Sequence, residues 1–171
     1  MHGSDWRKLV ILKLCDAVES VTTVLTVLIT AVMVALIVAS VFARYVVGDP
    51  IGWAEQVAKY LMIWATFLAA SLGVREGAHI AMTVFLDKLP ARIKSLTQKL
   101  VFLLVAAFLL TTLYQGVKFT SSVASHSDPL VWEMSMAVPY AAIPVGCALM
   151  LVQLICRYVR SGHVSETATI T

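Results

Sequence analysis

Residues 53–90 read WAEQVAKYLMIWATFLAASLGVREGAHIAMTVFLDKLP, and this stretch decides the fold. It opens on Trp53 and an acid–base pair one helical turn apart, Glu55 and Lys59. An uncharged run from Tyr60 to Val74 follows, rich in aromatic and small residues. It ends in a polar knot, Arg75-Glu76-Gly77-Ala78-His79, and a half-apolar segment that stops at Leu89-Pro90. About 20 residues at 1.5 Å each cross a hydrocarbon core of about 30 Å. Residues 53–74 therefore suit a membrane helix with an aromatic, charged entry and a basic exit. Ala69, Gly73 and Gly77 recur every fourth position and stack on one face, which lets helix backbones approach closely in lipid.

The composition of the whole chain fits a lipid solvent. Of 171 residues, 60% are hydrophobic and 13% charged, and the mean hydropathy is +0.87. Soluble domains are roughly 45–50% apolar and about 25% charged. The net charge of +3 is too small to suggest a nucleic-acid partner, which normally needs clustered bases, and its distribution matters more than its sum. Cys15, Cys147 and Cys156 form no C-x-x-C pair and sit in or beside apolar runs. They are expected to be small buried hydrophobes with inert thiols.

Three more spans can be placed around the second. Val21 to Phe42 holds 22 residues without a charge. Val41-Phe42-Ala43 looks like a signal-peptide cleavage site, but a signal core spans only about 7–15 residues, so a retained span is expected. Before it, Trp6, Leu9, Val10 and Leu14 share one side of a helix that either lies at the membrane interface or extends the first span. After it, Asp49-Pro50 predicts a capped helix start. Residues 100–117 form the third span, and residues 134–156 the fourth, broken by Pro139 and Pro144. Residues 157–171 read as a polar, disordered tail. The expected fold is a single all-α membrane domain over residues 1–171, with four transmembrane helices and possible short interfacial ones.

Orientation follows from the bases. Arg7, Lys8, Lys13, Arg75, Lys88, Arg92, Lys94, Lys99, Arg157 and Arg160 lie on one side, ten against Arg44, Lys59 and Lys118 on the other. The positive-inside rule puts the ten, and both termini, in the cytoplasm.

Chemistry-bearing groups are sparse. Spans one, three and four contain no Asp, Glu, Lys, Arg or His in their interiors. A small four-helix antiporter would need a carboxylate there. Haem would need facing histidines, but His79 and His126 fall on opposite sides and His2 and His163 lie in the tails. No nucleophile–base set, phosphate loop or metal-ligand spacing occurs. No enzyme activity, catalytic residue, metal or cofactor is expected. Glu55 and Lys59 can dock a partner or simply anchor a helix end. The Arg75–His79 knot equally reads as a helix stop with Gly77 as its cap. Trp53 and Tyr60 suit an aromatic belt, while Trp64 lies deeper, where its indole N–H needs a partner.

In order along the chain come Arg44-Tyr45-Val46-Val47-Gly48, Trp53-Ala54-Glu55, Ile63-Trp64 through Ala70, Arg75 to Ile80, Leu89-Pro90, Pro139-Tyr140 and Ile143-Pro144-Val145-Gly146. This series resembles the small membrane (Q) subunit of tripartite ATP-independent periplasmic (TRAP) transporters, over about residues 15–158. Two departures are Gln56, where the family often has a second acid, and Ala81-Met82-Thr83, where an aspartate is common. The resemblance implies an accessory subunit in a bacterial inner membrane. Its partners would be lipid, a large multi-span subunit that moves an organic acid with sodium, and a periplasmic binding protein that delivers it. The residues expected to meet these partners are Trp53, Glu55, Lys59, Trp64, Ala69, Gly73, Arg75, Gly77, His79 and Pro144. The other reading is a stand-alone structural or assembly membrane protein.

Overall fold

The structure, a computed structural model, describes the backbone of residues 3–86 and 91–167 and the side chains of residues 13–74, 96, 97 and 99–158. Of the expected contact residues, Arg75, Gly77 and His79 are described in backbone only, and Leu89-Pro90 lies outside the described residues.

The helices are α1 (Gly3–Phe42), α2 (Ala54–Leu86), α3 (Ala91–Val123), α4 (Ala137–Tyr140) and α5 (Ala142–Thr167). Between α3 and α4, β1 (Ser127–Asp128) and β2 (Met134–Ser135) form a small antiparallel hairpin. Four helical stretches are long and apolar enough to cross a membrane: Lys13–Val47, Ala54–Val74, Lys99–Val123 and Ala137–Tyr158. The chain is an all-α membrane protein.

Several expected boundaries move. The amphipathic start is continuous with the first span, because Gly3–Phe42 carries no proline and only its first residue is glycine. At 1.5 Å per residue α1 is about 60 Å long, twice the hydrocarbon thickness. The polar knot does not stop α2, which runs straight through Gly77 to Leu86. One interior glycine costs about 1 kcal/mol, too little to end a helix flanked by good formers. Pro50 does not open α2 either. Gly48 adopts the left-handed φ of 79° that ends the preceding helix, and α2 starts only after an Ile51–Trp53 turn, with Ala54 N–H donating to the Ile51 carbonyl at 3.1 Å. The tail expected to be disordered continues α5 to Thr167.

The prolines of the last span break it into α4 and α5, and neighbouring helices take up the exposed carbonyls. Pro144 has no N–H to give the Tyr140 carbonyl, and Thr120 Oγ1 donates to that oxygen at 3.2 Å. Threonines in α1 satisfy themselves: Thr22, Thr23, Thr26 and Thr30 each donate to the carbonyl four residues back, at 2.7–2.9 Å.

The spans lie in the spatial order α1, α2, α5, α3, so α2 and α5 are central. In lipid, helix association is driven by close packing, since lipid tails are as apolar as leucine. Gly146 of α5 supplies that closeness: a Cβ there would lie 2.6 Å from Phe67 Cβ of α2. Gly116 of α3 does the same against Ile143, at 3.0 Å. Leu109, Cys147 and Leu154 fill the α3–α5 seam. Polar side chains are buried too, among them Thr22, Ser71 and Gln153, a feature absent from the sequence reading. The expectation of three separate thiols is corrected: Cys15 and Cys156 are joined in a disulfide, and only Cys147 is free and buried. A sequence separation of 141 hides that α1 begins where α5 ends.

Candidate functional site

One end of the helix row carries a platform made by the α1–α2 turn and the α3–α4 hairpin. Its first part follows from a change of helical pitch. After Phe42 the chain runs as one π-turn, Ala43–Val47, which carries Arg44 toward α2. The Arg44 guanidinium donates through Nη2 to Glu55 Oε1. Glu55 therefore pairs with Arg44 rather than with Lys59, as its spacing had suggested. Both side chains are about half exposed, 48% and 54%, so the pair contributes about 0–1 kcal/mol. Lys59 is exposed.

The second part is a carboxylate clamp. Asp128 is 4% exposed, and three donors reach it: the Tyr60 hydroxyl and Gln56 Nε2 (2.8 Å) at Oδ2, and the Leu130 amide (2.9 Å) at Oδ1. Gln56 and Tyr60 are one turn apart on α2, so they meet the hairpin together, and Gln56 also donates to the Tyr60 oxygen at 3.1 Å. The Tyr60 hydrogen bond, then the Leu130 amide, hold the Asp128 carboxyl below its ordinary value of 3.8, against the opposing effect of burial. The glutamine that departs from the family's second acid has a physical reason here. Its amide can donate to Asp128, whereas a glutamate would repel it.

The third part is an aromatic tip. Trp132 and Glu133 both take left-handed backbone, with φ of 46° and 54°, which costs non-glycine residues about 1–2 kcal/mol each. The hairpin holds them there through Met134 N–H to the Val131 carbonyl (2.8 Å) and Met136 N–H to the His126 carbonyl (2.9 Å). Trp132 is thereby raised to 76% exposure and rests on Trp53, with ring centroids 5.2 Å apart.

The remaining expected contact residues divide into inward and outward sets. Trp64 Nε1 donates to the Val138 carbonyl at 3.1 Å, tying α2 to α4. Pro144 faces Gly116 in the seam with α3. Ala69 and Gly73 are exposed, and a Cβ on Gly73 would meet nothing within 4 Å. Trp53 and Glu55 therefore join the platform, whereas Ala69 and Gly73 lie about 20 Å further along α2 and do not. Among the described residues no three His, Cys, Asp or Glu side chains are grouped to hold a metal. Asp128, Gln56, Arg44 and Trp132 were missed as site residues. The one hint was Gln56 and Tyr60 at a four-residue spacing, and the turn that bears Asp128 lies 72 and 68 positions further on. The arrangement offers a shaped, charged and aromatic surface for recognition.

The model of the family described as "Tripartite ATP-independent periplasmic transporters, DctQ component" matches residues 17–162. The sialic acid TRAP transporter permease protein SiaT of Haemophilus influenzae (strain 86-028NP) is 28% identical over 120 residues, 70% of this chain and 19% of that protein. The isethionate TRAP transporter permease protein DctMQ of Oleidesulfovibrio alaskensis is 27% identical over 60% of this chain and 16% of its own length. The C4-dicarboxylate TRAP transporter small permease protein DctQ of Vibrio cholerae is 26% identical over 66% of this chain and 58% of its length. This chain thus spans a small part of the first two relatives and more than half of the third. The four apolar helices and the match over residues 17–162 together assign the chain to the DctQ component family, the small membrane subunits of TRAP transporters.

Proposed function

We propose that this chain is the accessory subunit that braces a large permease partner in a sodium-coupled importer of an organic acid, and that it has no enzymatic role of its own. The observation that carries this reading is the open helix row. In the apolar windows of the α1, α2 and α3 spans only 6%, 17% and 11% of residues are buried. On the outward Ala69–Gly73 face, a Cβ on Gly73 would meet nothing within 4 Å among the described residues. A transporter element that moves through a bilayer needs a fixed counterpart, and a broad apolar face of long helices suits that task. The relatives' names support the same division of labour, since two of them are much longer permeases of which a chain like this matches a minor part.

The substrate class is proposed as an organic anion, because the relatives named above are described for sialic acid, isethionate and C4-dicarboxylate. Both termini are proposed to be cytoplasmic, on ten bases against three. The Arg44–Glu55 and Trp53–Trp132 platform then faces the periplasm, where a binding protein would arrive. Co-expression of the tagged chain with the large permease component tests the reading. Capture of the large component by the wild-type chain, with severalfold loss on Gly73→Leu, is expected. Failure of the wild-type chain to capture it would reject the accessory role.

A further inference from the structure

Cys15 and Cys156 occupy the only place among the described residues where the first and last spans are covalently joined. Their Cα atoms lie 6.0 Å apart, although α2 separates α1 from α5 over most of the row. Cys15 is buried and Cys156 half-buried. The exposed Lys13 and the neighbouring Arg157 mark this as the polar end of the spans, within reach of small molecules from water. Cys147 is different: it lies nine residues earlier on α5, about 13 Å deeper, buried beside Leu109 and Leu154.

The base count assigns this end to the cytoplasm, where thiols are kept reduced. A cysteine pair held at bonding distance in that compartment is oxidised only on demand. We propose that Cys15 and Cys156 form a redox-responsive staple, a dithiol in the resting cell and a disulfide after oxidation by a peroxide. The inference rests on the cytoplasmic assignment of the termini. One thiolate attacks the peroxide O–O bond, giving a sulfenic acid and, with a proton, one molecule of water or alcohol. The second thiolate attacks that sulfur, forms the S–S bond and expels hydroxide, which leaves as water. Two electrons pass from the two sulfurs to the peroxide. A dithiol reductant reverses the step through a mixed disulfide. Oxidation fixes the spacing of α1 and α5 at this end and so stiffens the brace.

The test counts thiols in intact cells expressing the full chain, by acid quenching and alkylation with a mass-tagged maleimide. Wild type should carry three tags at rest, one after hydrogen peroxide, and three again after dithiothreitol. Cys147→Ser should pass from two to none and back, and Cys15→Ser should keep two throughout. Purified oxidised chain should melt several degrees above the reduced chain, a difference abolished by Cys15→Ser. Three tags surviving peroxide, tags not recovered by reductant, or equal melting would overturn the staple. A single tag at rest would also overturn it, and a Ser165→Cys reporter in a cysteine-free chain separates the causes. Labelling of that reporter from the cytoplasm would mean the pair is a permanent cross-link, whereas labelling from the periplasm would mean the orientation itself is wrong.

Discussion

Asp128 holds the hairpin to α2 by accepting from a phenol, an amide and a backbone N–H at once, so its charge state governs the platform. Its folded pKa lies below 3.8, which means the unfolded chain binds its proton first as pH falls. The stabilisation is therefore complete above 3.8 and is lost only as pH drops through the lower folded value. Tryptophan fluorescence of a Trp6→Phe, Trp64→Phe chain, reporting Trp53 against Trp132, should stay flat from neutral pH down to 3.8 and change below it. Asp128→Asn should remove that acid transition. Gln56→Glu should release the hairpin already at neutral pH, by setting a second carboxylate against the first, and limited proteolysis between Ser127 and Met134 would detect it. At the rim, Arg44→Glu and Glu55→Arg should each cost at most about 1 kcal/mol, and the double swap should restore the melting temperature.

At the scale of elements, the glycines of α2 and α5 have opposite environments despite similar sequence settings. Gly146 is pressed against Phe67, so Gly146→Leu should overpack the α2–α5 crossing and destabilise the isolated chain by about 1–3 kcal/mol. A Cβ on Gly73 would meet nothing within 4 Å among the described residues, so Gly73→Leu should leave the isolated chain's melting temperature unchanged while weakening capture of the large component. Four-residue spacing alone does not distinguish these cases, because a helical face is visible in sequence but the element opposite it is not. The same limit explains the other differences. Four spans were legible from uncharged runs, since lipid punishes every unpaired charge. The helix ends beyond them were less legible: helix runs on through the local stop signal at Gly77, and Asp49-Pro50 lies in the non-helical connection ahead of α2 rather than at its start. Trp64 was legible as needing a partner, but the Val138 carbonyl that receives its N–H was not. The Arg44–Glu55 pair depends on a π-turn that no local pattern announces, and the Asp128 clamp joins residues 68 and 72 positions apart.

For the whole molecule, the order α1, α2, α5, α3 leaves two outer helices with most of their apolar surface turned away from the chain. Lipid alone can cover such a surface, but an open small-residue face in α2 is suited to a second protein. Single cysteines at Ser127 and Ser165 in a cysteine-free chain should be labelled from the periplasm and the cytoplasm respectively, and labelling of both from one side would contradict the four-span arrangement. We propose that the chain supports transport without performing it. Uptake of a radiolabelled organic acid should be compared in proteoliposomes holding this chain alone, the large component alone, or both, each with the binding protein and a sodium gradient. Uptake at the level of empty vesicles is expected for this chain alone, and at least tenfold more when both are present. Sodium-dependent uptake by this chain alone would contradict it.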